Sequence, residues 1–349
     1  MSESTLVITE STPAEDAAYS AYVAAHPEAT LFHELPWRDA VVAAFGHRPH
    51  NLLARRGSRV VGVLPIFQIN SVVAGRFLLS MPYATYGGPL ADHTDITAAL
   101  LAHARDLAER IDAATLELRT VRAADPSQPV RSRHARFVRP LPTDVDAFEN
   151  YLPRKARAAA RKAVATAPLT IASGRQHLDT AWRLYARSMR RLASPNYPRR
   201  FFRALADALG DRMIVQLVRA ERRPVAALVS FIHRDTLMPY FIGLDERVEL
   251  YGLSHYLYQE SMRWGVSRGL RAYDFGRSRI DNTGPYNFKR FCGFEPTPLE
   301  YQTFVSPGRS APDLSPGSAR WALARDVWKR LPLLLTRPLG GWLARSIPG

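Results

Sequence analysis

The order in which helix and strand patterns recur constrains the fold of this 349-residue chain more than any single motif does. "LFHELPWRDAVVAAFG" (31–46) reads as a turn entering an amphipathic helix, with Trp37, Val41, Ala44 and Phe45 at helical spacing and Gly46 as the stop. "HNLLARRGSRVVGVLPIFQI" alternates around "RRGSR" as a hairpin does. "LLSMPYATYGGPL" (78–90) reads as a strand running into a Gly-Gly-Pro turn, "DITAALLAHARDLAERI" (95–111) as a helix and "ATLELRTV" as a strand. The same order then returns. Helices "QHLDTAWRLYARSMRRL" (176–192) and "RRFFRALADALG" precede three strands in "DRMIVQLVRAERRPVAALVSFIHRDTLMPYFIGL". Helix "LSHYLYQESMRWGVSRGL", strand "RAYDF" and a last strand "PLEYQTFV" complete it. Elements repeated at about 150 residues predict two similar α/β (α+β) units, each a mixed central sheet flanked by helices. The length agrees, because one core usually stops growing before it reaches such a size.

The expected boundaries are a first domain at 1–150, degenerate in function, a basic helical linker at 151–169, a second domain carrying the site at 170–306, and a linker with an amphipathic tail at 307–349. The 151–169 segment, "YLPRKARAAARKAVATAPL", sets Arg154, Lys155, Arg157, Arg161 and Lys162 on an Ala-rich helix without one acid. In the tail, Trp321, Ala324, Trp328, Leu331 and Leu335 fall near one helical face, and Pro332 limits the helix. Such a helix either lies at a membrane interface or folds back to bury its tryptophans.

Charge narrows the partners. Lys and Arg number 47 against 32 Asp and Glu, a net charge of +15, which favours an anionic partner. Arg183, Arg187 and Arg190 recur at helical spacing, and no acid occurs from 180 to 206. With the 154–162 cluster they form a basic patch suited to tRNA, a phosphorylated precursor or lipid headgroups, although a plain solvated face accounts for them equally. The one cysteine, Cys292, excludes an internal disulfide and is expected to pack rather than react. His33, His47, His50, His233 and His255 are scattered without metal-ligand spacing, so no metal site is expected. The amino terminus opens with acidic and hydroxyl residues rather than a basic, then apolar, stretch. That predicts a cytoplasmic protein, with peripheral contact at the inner membrane face if the tail binds lipid.

"YDFGRSRIDNTGPYNFKRFCGFEP" (273–296) concentrates the chemistry. Asp274 ends a strand, where its carboxylate can hold Arg277 or Lys289 or take a proton from an amine. Arg277 and Arg279 follow Gly276, which permits close backbone approach, and guanidinium forks suit phosphate. Gly284-Pro285 reads as a turn. Tyr286 and Asn287 are candidates for hydrogen bonds to a sugar or peptide, Tyr286 also for plain packing.

Over residues 30–305 the chain resembles a known family. "SPNYPRRFFRAL", "ERRPVAALVSF", "YDFGRS" and "YNFKRFCGFEPTPLEY" are similar to the FemAB-related proteins that accompany exosortase and exopolysaccharide (PEP-CTERM) systems, as are "FGHRPHNLLARRGSRVVGVLPI" and "YGGPLAD" in the first half. The resemblance implies two tandem GNAT-like domains and transfer of an acyl or aminoacyl group to an amine of a cell-envelope or exopolysaccharide precursor. It implies aminoacyl-tRNA as donor and no tightly bound cofactor. It also places Phe288 and Lys289 at the reaction centre, with Lys289 stabilising the developing oxyanion. Acyl-coenzyme A is the rival donor. The GNAT pyrophosphate loop appears here only as "ELYGLS" (249–254), where Gly252 remains but Glu249 would repel phosphate. A noncatalytic binding or membrane-adapter role is the third expectation.

Overall fold

Tyr301–Val305, expected to close the second domain, pairs antiparallel with Thr115–Leu118 and lies between that strand and Val130–Arg131. In the same way His134–Pro140, from the expected first domain, lies between Ala272–Arg279 and Pro296–Pro298. Each sheet therefore receives a strand that sequence order assigns to the other half. The computed structural model describes residues 5–310 and 322–347. It divides into two units, the described parts of Met1–Ser132, Leu299–Trp321 and Trp342–Gly349, and those of Arg133–Pro298 and Ala322–Gly341. These bounds differ from the expected ones because strand pairing, not chain order, decides membership.

The first unit holds a four-stranded and a six-stranded sheet. Helix Thr94–Arg110 buries Ile96, Leu100, Leu101, Ala104, Leu107 and Ala108 against them. Among its described residues one parallel pair joins Gly75–Leu79 to Thr115–Leu118 through Leu78–Leu116 and Leu79–Glu117. The predicted strand 78–90 stops there. Residues 80–88 run on as a buried loop in which Met81 (φ 44°) and Tyr83 (φ 57°) take the left-handed conformation, strained for any residue but glycine. Four side chains hold its carbonyls. Trp37 Nε1 donates to Pro82 O (3.3 Å), Arg119 to Ala84 O (3.0 Å), Tyr301 Oη to Thr85 O, and His33 Nε2 to Gly88 O (3.0 Å).

The second unit is one seven-stranded sheet in the spatial order Leu169–Ser173, Met213–Ala220, Arg223–His233, Thr236–Leu244, Ala272–Arg279, His134–Pro140, Pro296–Pro298. All neighbours are antiparallel except Thr236–Leu244 and Ala272–Arg279. That parallel pair is joined by helix Leu253–Ser267, as a parallel connection requires. Ile242 and Leu244 pack with Leu253 and Leu257 of this helix. Phe241 meets Tyr185, and a Cβ on Gly243 would lie 2.3 Å from the Tyr185 nitrogen. Neighbouring strand residues point to opposite faces, so helix Leu178–Arg191 covers one face of the sheet and helix Leu253–Ser267 the other.

The segment read as a linker is part of this unit. Helix Arg154–Thr166 buries Ala156, Ala159, Ala160 and Ala163 and touches the start of helix Leu253–Ser267. The tail forms two helices, Ala322–Arg330 and Leu333–Ser346, separated at Pro332 as expected, the second continuing past Pro338. Trp321 lies outside the described residues. Of the face predicted with it, Trp328 and Leu331 are half-buried while Ala324 and Leu335 are exposed. Among the described residues no helix is long and apolar enough to cross a membrane.

Candidate active site

The site starts from a failure of pairing. Thr236–Leu244 and Ala272–Arg279 are bonded only at Thr236–Ala272 and Leu237–Tyr273, and beyond these residues the parallel strands part. A bulge stands on each side of the opening. In Thr236–Leu244, Val229 faces Phe241 while Ser230 faces Pro239, so Tyr240 is the extra residue. In Ala272–Arg279, Arg136 faces Arg277 and Val138 faces Asp274, so Phe275 and Gly276 together oppose Phe137. Gly276 has φ 66°, which only glycine takes without strain. Both bulges have a local signal, since a proline or a glycine inside a strand pattern marks one.

The second bulge is tied to Lys289. "TGPYNFKRF" is helix Thr283–Phe291 and not the expected turn, with Pro285 in the first helical turn, where its missing N–H leaves no bond unmade. The helix brings Lys289 back over the strand with 8% of its surface exposed. Its Nζ donates to the carbonyls of Arg277 (2.9 Å) and Gly276 (3.3 Å) and lies 5.1 and 5.6 Å from the ring centres of Phe137 and Phe275. Burial pushes the lysine down to about 7, the Asp274 charge opposes that, and Arg277 adds to it. Asp274, also buried, accepts a bond from the Gly276 N–H (2.8 Å), which closes the bulge from within.

The other predicted residues divide. Phe288 is half-buried and packs on His255 (4.8 Å) and Tyr258 (5.5 Å), and Tyr286 sets its ring edge against Phe137 (5.3 Å). Arg279 is paired with Asp281 (2.8 Å), and Asn287 is exposed. Asp274, Gly276, Arg277, Tyr286, Phe288 and Lys289 thus share the bulge and the helix over it. Sequence reasoning missed Phe137, Tyr258 and Tyr240, of which only the proline beside Tyr240 hinted at one, and it considered His255 only as a metal ligand. Burial lowers the His255 pKa and raises that of Cys292 to about 12, so this cysteine is a packed thiol.

The basic patch is not one surface. Arg154, Lys155 and Arg161 are exposed, and Arg157 binds Asn150 Oδ1 (2.8 Å), all on the helix that rides on Leu253–Ser267. Arg183, Arg187 and Arg190 belong to the helix on the opposite face of the sheet. Arg187 pairs with Asp245 (2.7 Å) and Arg190 with Glu246 (2.9 Å), acids remote in sequence, and Arg183 bonds Thr180 (3.0 Å). Asp245 also receives Arg247 and Arg223, both at 2.8 Å. Those bonds, Arg247's first, outweigh its burial and hold its carboxyl far below the usual carboxylate range. With Ser188 Oγ accepting from Leu244 N (2.8 Å), the node anchors the end of the parted strand.

A comparison with family models matches residues 150–290 to an acetyltransferase (GNAT) domain. No curated protein matches the sequence significantly. Among solved structures, FemX aligns at a TM-score of 0.63 and 13% identity, over 86% of this chain and 97% of its own. A tandem GNAT protein from the clavulanic acid biosynthesis pathway aligns at 0.56 and 14%, over 88% of this chain and 100% of its own. The chain has a tandem GNAT-like fold. A third alignment at 0.56 and 12%, over 86% of this chain and 100% of the other, is to the C-terminal domain of a putative lysylphosphatidylglycerol synthetase from Agrobacterium fabrum. The expected fold class is therefore borne out. In this tandem fold the second unit has the parted strands, and in the first the strained, pinned loop follows the corresponding parallel pair.

The buried lysine has a measurable signature. Below about pH 7 folded and unfolded chains both carry its proton, and the folded chain bears the full desolvation cost. Between about 7 and the unfolded value of 10.5 the unfolded chain binds one proton more, so stability rises with pH through that window. Lys289→Met removes this rise. The wild-type minus variant unfolding free energy is expected to increase by a few kcal/mol from pH 7 to 10. Parallel curves in urea titrations would show that no proton is excluded from this site.

Proposed function

We propose that this tandem GNAT-like protein transfers an acyl or aminoacyl group to an amine of an anionic cell-envelope or exopolysaccharide precursor, and that the second unit performs the transfer. The observation that carries this is the opening between Thr236–Leu244 and Ala272–Arg279, with Lys289 buried against the bulge on its flank. Transfer forms the amine N–C bond as the donor's ester C–O bond breaks, with the amine's proton passing to the departing oxygen, and it requires a held carbonyl and a donor for the developing oxyanion. A charged Lys289 has three N–H groups. Two serve the Gly276 and Arg277 carbonyls, and the third is available to the oxyanion. Asp274 holds the bulge and keeps charge on the lysine, which makes it a positioning residue, and Arg277 binds phosphate of the precursor. In the first unit, residues 80–88 after the parallel pair are buried and bonded by Trp37, Arg119, Tyr301 and His33, which supports a structural role for that loop rather than chemistry.

Aminoacyl-tRNA is the preferred donor. Beside Glu249, the Ala159 carbonyl lies against Gly252 at the start of helix Leu253–Ser267, a second electronegative group that disfavours pyrophosphate at this turn. The test has two arms. Label from a charged tRNA pool is expected to pass into an envelope-precursor fraction with wild type and not with Lys289→Met. Acetyl-coenzyme A at about millimolar concentration is expected to leave the melting temperature unchanged, because only a ligand of the folded state raises it. A concentration-dependent rise would instead assign the donor to coenzyme A, and no transfer from either donor would leave a binding or adapter protein.

A further inference from the structure

Helix Leu333–Ser346 is built inside out. Its fully buried residues are all small, Thr336, Gly340, Gly341, Ala344 and Ser346. Its outer side carries large apolar ones. Leu334 is 81% exposed, Leu335 49%, Leu339 43% and Trp342 58%; the last three recur at i, i+4 and i+7, one continuous stripe with Leu334 beside it. Isolated exposed leucines are ordinary, but a stripe of this kind marks an interaction surface.

The helix cannot turn the stripe inward. A Cβ on Gly340 would lie 2.3 Å from Asn196 Oδ1 and 2.8 Å from its backbone nitrogen, and one on Gly341 3.0 Å from Pro198 Cβ. Asn196 is buried and donates to the Arg337 carbonyl (3.2 Å), while the Arg337 guanidinium lies 5.6 Å over the Trp182 ring. The inner face has no room for a methyl group, so none for a leucine.

We propose that the outer face of this helix docks the protein on an anionic phospholipid surface. Charge selects that occupant. Residues 322–347 contain Arg325, Lys329, Arg330, Arg337 and Arg345 against the single acid Asp326, and Lys329, Arg330 and Arg345 are exposed. Leucines that enter the acyl boundary, a tryptophan at headgroup depth and cations toward lipid phosphate form the pattern of a helix lying in the interface. The face is carried preformed on the fold, so no ordering is needed on binding. This inference does not rest on the transferase reading.

The test is cosedimentation with vesicles of phosphatidylcholine containing about a quarter phosphatidylglycerol. Wild type is expected to bind, more weakly in high salt and on phosphatidylcholine alone. Leu335→Glu with Leu339→Glu is expected to lower partitioning at least about tenfold. Both positions are exposed, so thermal melting should stay unchanged and show that the variant folds. Lys329→Gln with Arg330→Gln is expected to weaken binding to the anionic vesicles alone. Equal binding by wild type and a folded double-Glu variant would overturn the proposal and move any lipid affinity to the basic body. So would concentration-dependent self-association of wild type that the double-Glu change abolishes, since a second copy would then own the face.

Discussion

Lys289→Met is expected to lower kcat/KM for transfer by about 10²–10³-fold, the usual consequence of removing one preorganised donor to an oxyanion. The substitution keeps the length and apolar stem of the side chain but takes away the amine between the Phe137 and Phe275 rings. A structural role alone would also lose the bonds to Gly276 and Arg277, so the decisive readout is pH. A donor to an oxyanion must be charged, and this lysine sits at about 7. The ratio of wild-type to variant kcat/KM, in which titration of the acceptor amine cancels, is therefore expected to fall as pH rises above about 7. A ratio that rises instead would make Lys289 a general base, and one that is flat and near unity would remove it from the reaction.

Gly252→Ala is expected to be the most destabilising single-methyl change in the second unit, costing about 3–5 kcal/mol or preventing folding. Two effects combine. The residue has φ 83°, and its Cβ would fall 2.0 Å from the Ala159 carbonyl oxygen and 2.8 Å from its carbon, backbone that cannot swing aside. Gly269→Ala separates them, because it shares the left-handed conformation (φ 73°) and meets nothing within 4 Å. The control should cost only about 1–2 kcal/mol, that of the backbone conformation. Equal losses in urea denaturation would mean that helix Arg154–Thr166 is not seated on Gly252.

The elements themselves were legible along the chain, because helix and strand periods are local. Leu178–Arg191, Leu253–Ser267, the hairpins and the repeated order all appear in the apolar spacing. Pairing is another matter. Tyr301–Val305 alternates in the same way whichever sheet it joins, so the crossing of that strand and of His134–Pro140 left no local trace. The 283–291 segment was misread because Gly-Pro favours a turn, while the packing of Tyr286 on Phe137 and of Phe288 on His255 and Tyr258 rewards a helix. Motif resemblance pointed to Lys289, but its burial and depressed pKa come from packing against the Phe137 and Phe275 rings of two strands and from the nearby Arg277 charge. The arginines of 183–190 read as one basic face with the 154–162 cluster because charge is written residue by residue. Their partners Asp245 and Glu246, and the sheet standing between the two groups, exist only once distant segments have packed.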